Sequence, residues 1–487
     1  MSINTSIKTI QNIMRKDAGV DGDAQRISQL TWLLFLKIYD AKEEEIELLM
    51  DEEDEYRSPI PEELRWRNWA ANDEGITGDE LLDFVNNRLF PELKELRGDD
   101  KSRLVRSVFE DTYNYMKSGT LLRAVINEIQ KGIRLDTREE RHQMNDIYEK
   151  ILRDLQSAGN AGEFYTPRAV TRFIVEMANP QLGEKVLDAA CGTGGFLVDT
   201  IEHIRRNVDF DKLEVREQLQ NTVRGVEKKP LPHMLAVTNL MLHGIDVPRI
   251  AHDNLLMESY KKWTDAHRVD VIVANPPFGG MEEDGIERNF PADFQTRETA
   301  DLFLWLFIHL LKDKGRAGIV LPDGSLFGEG MKTRLKEKLL TECNLHTIVR
   351  LPKGVFAPYT SINTNLLFFT KGEPTEEVWY YEHPYPPGYK SYSKGKPIRI
   401  EEFGSEKEWW NNRQENEYAW KASIEEIRKR NYNLDIKNPH SEEEDLGDPE
   451  ELLREYRALE EKVEELREAL KKELGESLKK EVYEVRG

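Results

Sequence analysis

Val186-Leu187-Asp188-Ala189-Ala190-Cys191-Gly192-Thr193-Gly194-Gly195-Phe196 runs from a short strand through a glycine-rich turn into a helix. Glycines let the backbone approach a ligand closely and adopt positive φ. A dinucleotide fingerprint would need a further glycine at position 197, where this chain has Leu197. The turn therefore suits a nucleoside cofactor without a pyrophosphate better than a nicotinamide dinucleotide. Glycine-rich strand-helix turns also occur as plain structure, so the meaning of this one depends on its neighbours.

Outward from the turn, short β-rich runs alternate with amphipathic helices. The runs are Lys185 to Asp188, Val223 to Val226, Val269 to Ala274, Ala317 to Leu321, Thr347 to Leu351 and Leu366 to Thr370. This alternation predicts a parallel α/β sheet with helices on both faces. The last two runs lie close together, which predicts an antiparallel pair at the sheet edge. Glu227 ends the second run, where an acid can accept hydrogen bonds from both hydroxyls of a ribose. A lone strand-end acid is more often a solvated surface residue. Its order after the glycine turn favours the ligand role. Asp253-Asn254 follows a further short stretch, His243 to Ile250, and is expected to face an adenine ring.

The sharpest signal is Asn275-Pro276-Pro277-Phe278, directly after the run Val269 to Ala274. Two prolines remove backbone donors and fix the chain path. They leave the Asn275 side-chain oxygen and the Pro276 carbonyl as acceptors aimed the same way. An amino group donating to both has its lone pair turned toward an electrophile. Phe278 offers a face on which a flipped base can stack. The competing reading is a tight turn after a buried strand, which the glycine turn upstream disfavours.

The glycine turn and this tetrapeptide, in that order, resemble the amino-methyltransferases of the S-adenosylmethionine-dependent class. Gly162-Glu163-Phe164-Tyr165-Thr166-Pro167-Arg168 narrows the resemblance to the modification subunits of type I restriction-modification systems. Leu30-Thr31-Trp32-Leu33-Leu34-Phe35-Leu36-Lys37 is similar to that family's helical domain, and Asn431-Tyr432-Asn433-Leu434-Asp435 to a segment it carries near the C-terminus. The resemblance implies transfer of the sulfonium methyl of S-adenosylmethionine to adenine N6 in DNA, with no metal. It places Glu163, Phe164, Tyr165, Thr166, Pro167, Arg168, Thr193, Gly194, Gly195 and Glu227 against the cofactor, with Asp188 and Gly192 in support. It places Asn275, Pro276, Pro277 and Phe278 on the target base, which must leave the duplex. Cys191 is expected to be a buried filler, because this chemistry requires no covalent enzyme intermediate.

The resemblance also implies partners: double-stranded DNA, a specificity subunit flanked by two modification subunits, and a restriction subunit. Two other readings compete. A glutamine-amide methyltransferase uses a similar Asn-Pro-Pro tetrapeptide but is shorter. A non-catalytic scaffold would not need the intact turn, Glu227 and Asn275.

Composition agrees with a globular chain. The 487 residues suffice for about two to four domains. Hydrophobic residues make up 39%. The longest apolar run, Thr31 to Tyr39, is interrupted by Lys37 and too short to span a membrane. With two cysteines and ten scattered histidines there is no disulfide framework and no metal-ligand spacing, and a cytoplasmic protein is expected. The net charge of -22 argues against gripping DNA by bulk electrostatics and for a partner that reads it. Much of the acid lies in Glu43 to Glu45, Asp51 to Glu55 and Glu442 to Asp445.

The expected architecture is a Rossmann-like methyltransferase α/β fold with helical extensions at both ends. Residues 1–155 form an N-terminal helical domain, with helical spacing at Leu30, Leu33, Leu34, Ile38 and again at Leu81, Leu82, Val85, Leu89. Residues 156–375 form the catalytic domain. Residues 376–447, rich in Pro, Gly, Tyr and Trp, form an irregular appended segment. Residues 448–487 form a partner-docking helix: Asp448 caps it, Pro449 opens it, and Leu452, Tyr456, Leu459, Val463, Leu466 and Leu470 make a heptad seam that Gly475 weakens.

Overall fold

The computed structural model describes residues 3–49, 56–135, 140, 144–145, 148–152, 165–210, 212–440 and 449–484. Glu163, Phe164 and Asp448, the acidic runs 51–55 and 442–445, and the expected boundary near 155 lie outside the described residues. The chain divides into two compact units, Met1–Asn438 and Pro439–Gly487.

The first unit begins with helices α1 (Ile3–Met14) and α2 (Gly22–Leu49). In α2 the whole stretch from Leu30 to Tyr39 is buried, Lys37 included, and the Lys37 ammonium donates to the Gln130 amide oxygen at 2.5 Å. A helix apolar all round has to be enclosed on every side. The pattern from Leu81 to Leu89, expected as plain α-helix, instead passes from an α turn (Gly78–Asp83) into a π turn (Phe84–Leu89). Leu81, Val85 and Leu89 recur every four residues, and all three are fully buried. A four-residue spacing keeps one face buried in either turn, and here the wider i→i+5 turn is the one formed. Helices α3 (Asp100–Phe109) and α4 (Gly119–Gly132) follow, their first turns capped by the side chains of Asp99 and Ser118.

The sheet has nine strands: β1 (Val186–Asp188), β2 (Val223–Glu227), β3 (Ile250–His252), β4 (Val269–Ala274), β5 (Leu311–Pro322), β6 (Cys343–Arg350), β7 (Thr364–Lys371), β8 (Glu377–Glu382) and β9 (Ala419–Ser423). Their order is β3-β2-β1-β4-β5-β7-β6-β8-β9. The first five are parallel, and β7 runs antiparallel to both β5 and β6. Both faces are covered, so successive residues of one strand enter different cores. Val271 and Val273 join one cluster, Ile272 and Ala274 the other. Leu366 and Phe368 divide from Leu367 and Phe369 in the same way. This is why the strands are continuous apolar runs.

Two expectations are corrected. The β6–β7 pair is antiparallel, but it lies inside the sheet and not at its edge, because β8 pairs with β6 and β9 with β8. Those outer strands come from residues 376–447, which are therefore not irregular. Val378, Tyr380, Tyr381 and Trp420 are strand formers by shape and are all buried. The Pro-Gly cluster from Tyr385 to Tyr389 is a loop between them.

Helices α5 (Arg168–Ala178), α6 (Gly195–Arg205), α7 (Pro230–Leu242) and α8 (Thr299–Leu310) cover the strands near the site. From Met234 to Met241 every residue of α7 is buried. Its side chains share one core with α1, α2, α3, α4 and α6. Lys42 of α2 adds an ion pair to Asp246 at 2.8 Å. The N-terminal helices are thus packed onto the sheet side of β2 and β3 rather than tethered to it.

The second unit contains α9 (Pro449–Glu484), 36 residues long. It begins where the Asp448-Pro449 signal predicts but runs straight through Gly475. One glycine costs a helix only about 1 kcal/mol, which the flanking helix formers offset. Tyr456, Leu459, Val463, Leu466 and Leu470 of the seam are 47–64% exposed. No helix among the described residues is long and apolar enough to cross a membrane.

Because one core serves the N-terminal helices and β2–β3, Leu235→Ala in α7 should destabilise both together, by about 2–5 kcal/mol. Urea unfolding followed by far-UV circular dichroism and by tryptophan fluorescence, which reports Trp32, Trp66 and Trp69 among others, should give coincident transitions at a lower midpoint. Separate transitions would show that the helical part is an independent domain.

Candidate functional site

A parallel sheet brings the carboxyl ends of its strands to one edge, and here β1, β2 and β4 end on Asp188, Glu227 and Ala274. The loops leaving them enclose a cavity of about 330 Å³. Its wall includes Tyr165, Thr166, Asp188, Gly192, Thr193, Gly195, Glu227, Asp253, Asn254, Asn275, Pro276, Pro277 and Phe278. The structure thus brings together most of the residues predicted from the sequence, although they are drawn from separate parts of the chain.

The glycine turn takes its shape from two positive-φ residues, Gly192 at 53° and Gly194 at 80°. A Cβ on Gly194 would lie 3.1 Å from Leu240 Cδ1 of α7. Gly194 is therefore required for packing behind the turn and does not line the cavity. The turn is held at both ends. Its Cys191 N–H donates to the Val226 carbonyl at 3.0 Å, and the Asn239 amide donates to the Thr193 carbonyl at 3.0 Å.

Glu227 is the centre of this arrangement. One carboxylate oxygen accepts from the Gly192 N–H at 2.9 Å and the other from the Lys229 N–H at 2.7 Å. Asp188, at the end of β1, is 1% exposed. Its Oδ1 accepts from the Ala190 N–H at 3.3 Å, while Oδ2 is buried without a partner. Burial pushes its pKa well above the ordinary carboxylate value, and the Glu227 charge adds to the effect. Cys191 is likewise buried, and burial raises its thiol pKa well above the usual range. It is a neutral filler against Leu197 and Gly225, not a nucleophile.

Arg168 and Pro167 stand outside the wall. Pro167 precedes α5, and Arg168 lies behind the turn. There its guanidinium donates to the Gly195 carbonyl at 2.6 Å and to Glu149. Arg168 therefore positions the turn. Asn254 is also committed to structure. Its Oδ1 accepts from the Leu256 N–H at 3.1 Å and its Nδ2 donates to Glu282 at 3.3 Å. Asp253 is exposed and borders the cavity. Both follow β3, which is Ile250–His252 and not the longer stretch from His243.

The Asn275 amide is oriented by Thr166. Its Nδ2 donates to Thr166 Oγ1 at 3.0 Å, and its Oδ1 is buried with no donor. Leaving a buried acceptor unpaired costs about 1–3 kcal/mol, so this oxygen is set for a donor that the described residues do not supply. Phe278 meets Phe356 edge to face, with ring centroids 5.9 Å apart.

Phe356, Tyr359, Phe303, Lys228, Met281 and Glu282 also line the cavity and were not predicted. Phe356 and Tyr359 lie between β6 and β7, far along the chain from the tetrapeptide. Their only sequence signal is a pair of aromatics in a connection between strands. Nothing local in the sequence marks Glu282 among its acidic neighbours.

A glycine turn after β1, an acid after β2 and an Asn-Pro-Pro-Phe corner after β4, on one edge of a mostly parallel sheet, define an α/β methyltransferase. The profile of the N-6 DNA Methylase family matches residues 139–447, and that of the HsdM N-terminal domain matches residues 3–129. The chain belongs to the N-6 DNA methylase family, among the modification subunits of type I restriction enzymes. It is 59% identical to the methylase subunit of the type I restriction enzyme EcoEI of Escherichia coli, over 98% of each chain. A crystal structure of a modification subunit assigned to a type I restriction enzyme from Vibrio vulnificus YJ016 is 46% identical. The two superpose with a TM-score of 0.81, over 90% of this chain and 97% of that one. A chain from a structural study of complex assembly and conformational transition in the type I restriction-modification system is 39% identical. Its TM-score is 0.80, over 96% of this chain and 98% of that one. This membership selects DNA adenine over a protein glutamine amide.

Glu227→Ala should weaken S-adenosylmethionine binding. The loss of a charge-assisted hydrogen bond is about 1.5–3 kcal/mol, or roughly tenfold to hundredfold in Kd. Titration calorimetry measures it, and unchanged binding would remove Glu227 from the site.

Proposed function

We propose that this cavity is where adenine N6 is methylated, with the glycine turn, Asp188, Glu227 and Asp253 on the cofactor side and Asn275, Pro276, Phe278 and Phe356 on the base side. The fit to the cofactor rests on the chain's own groups. The turn at Gly192 has no side chain to obstruct a ligand, and buried Asp188 Oδ2 lacks a donor. When bound, S-adenosylmethionine supplies an electrophilic methyl group. The observation that carries the reading is Asn275: Thr166 holds its amide so that Oδ1 is left without a donor. An exocyclic amine donating to that oxygen and to the Pro276 carbonyl is oriented, and its growing positive charge is stabilised by both acceptors. The perpendicular faces of Phe278 and Phe356 give an extrahelical base a corner to stack in.

The wider assignment follows from the family and from α9. Two such subunits flank one specificity subunit that reads the DNA, and a restriction subunit joins them, in the cytoplasm where the DNA is. The acidic chain contributes little affinity of its own. The seam of α9 is exposed along its described length and has the period of a coiled coil. We assign it to docking on helices of the specificity subunit.

Two experiments test these readings. Asn275→Ala should abolish transfer of tritiated methyl to DNA in the complex, while calorimetry shows near-normal cofactor affinity. Near-normal turnover would end the proposed role. A chain truncated before Asp448 should fold and bind S-adenosylmethionine but fail to co-purify with the specificity subunit, as read by mass in solution. A full-sized complex from the truncated chain would instead assign docking to the N-terminal helices.

A further inference from the structure

Between the Asn275–Phe278 corner and α8 the chain makes an excursion, residues 279–298, that borders the cavity. Its two ends are zipped together. The Glu282 N–H donates to the Arg297 carbonyl at 2.8 Å, the Thr299 N–H to the Gly280 carbonyl at 3.1 Å, and Arg297 Nε to the Glu282 carbonyl at 3.0 Å. Met281 and Glu298 form an isolated β-bridge at the same place.

The Glu282 side chain turns from this zipper into the wall of the cavity, where it is 8% exposed. Oε1 accepts from the Thr299 hydroxyl at 3.1 Å, at the start of α8. Oε2 accepts from Asn254 Nδ2 at 3.3 Å and from Lys228 Nζ at 3.4 Å. Lys228 directly follows Glu227, and Asn254 directly follows Asp253. One buried carboxylate therefore joins the two loops that form the cofactor side to the segment that leaves the base side. The excursion holds the same loop a second time further along, where Asn289 Nδ2 donates to the Leu256 and Met257 carbonyls at 3.0 and 2.9 Å, but of the two contacts only Glu282 lines the cavity. Gly279 has φ of 73°, with no atom near the position a Cβ would take. Beside Glu282, Met281 is 63% exposed and borders the cavity.

We propose that Glu282 is a positioning residue that couples the two halves of the site. By fixing the excursion to Lys228 and Asn254, it makes cofactor occupancy favour the arrangement that accepts the target base, and base insertion favour cofactor binding. This inference rests on the assignment of the two sides made above. Coupling between two ligands is reciprocal, so it can be measured from either side.

The test uses the full chain assembled with its specificity subunit on a duplex carrying 2-aminopurine at the target adenine. Two quantities are measured: the Kd of S-adenosylhomocysteine with and without the duplex, and the 2-aminopurine fluorescence with and without S-adenosylhomocysteine. In the unaltered complex the duplex should tighten the ligand and the ligand should raise the fluorescence. Glu282→Ala should bring the ratio of the two Kd values to one and abolish the rise in fluorescence, with the Kd in the absence of DNA little changed. Glu282→Gln, which keeps an oxygen for Thr299 but places an amide against Lys228 or Asn254, should fall between. Thr299→Val leaves the carboxylate in place, removes one arm, and should weaken the coupling in the same direction. An unaltered complex whose two Kd values are equal would overturn the proposal. So would variants that keep the full ratio, or that lose affinity without DNA as much as with it. The coupling is read by binding, so it stands or falls separately from methylation, which the unaltered complex reports on an ordinary duplex.

Discussion

The hydrogen bond from the Gly192 N–H to the Glu227 carboxylate ties the loop after β1 to the end of β2, and the rest of the site is arranged around it. Gly192 can point its N–H there because its φ is positive. The second Glu227 oxygen holds the Lys229 N–H, which fixes the start of α7. Helix α7 in turn packs between the sheet and the N-terminal helices, and its Asn239 returns to hold the Thr193 carbonyl. The glycine turn and Glu227 therefore depend on the helical N-terminus for their rigidity. That gives a physical reason for the long helical extension: it forms the outer wall of the core on which the glycine turn rests.

Such a site was legible in the sequence where its chemistry is local. The glycine turn and the Asn-Pro-Pro-Phe corner each need a few adjacent residues with unusual backbones, so spacing along the chain was enough to find them. Glu227 was legible by its place at a strand end. The same logic is silent on what else such residues do: Arg168, outside the wall, bonds Glu149 and Gly195, and Asn254, in the wall, also bonds Leu256 and Glu282. Phe356 and Glu282 could not be found this way. An aromatic in a loop becomes a base-side wall only when β7 inserts between β5 and β6 and turns that loop toward the corner.

The fold shows a similar limit. The predicted strands were legible because their central residues, such as Val271 to Ala274 and Leu366 to Phe369, are buried on both sides of the sheet and so form apolar runs. The stretch 376–447 hid two more, since prolines and glycines in its loops outweighed the aromatic pattern of β8 and β9. The π turn after Asp83 was invisible for a different reason. Periodicity identifies the buried face, but a four-residue spacing is compatible with either turn until packing chooses.

Charge connects these parts to the role of the chain in its complex. A protein with 91 acidic and 69 basic side chains gains no bulk electrostatic attraction to the DNA backbone from its net charge. Cavity affinity for a base is available only after the base has left its stack, at a cost of a few kcal/mol. An acidic subunit gains little toward that cost from bulk attraction. Specific contacts made by a partner would supply it, and the energy must then reach the cavity through contacts that are already in place. The site has a suitable construction: a corner held by Asn275 and Thr166, a loop held by Glu227, and an excursion that Glu282 and Asn289 fasten to the loop after β3. Division of labour between a subunit that reads DNA and one that performs chemistry thus favours a catalytic site whose parts are rigid and already fastened to one another.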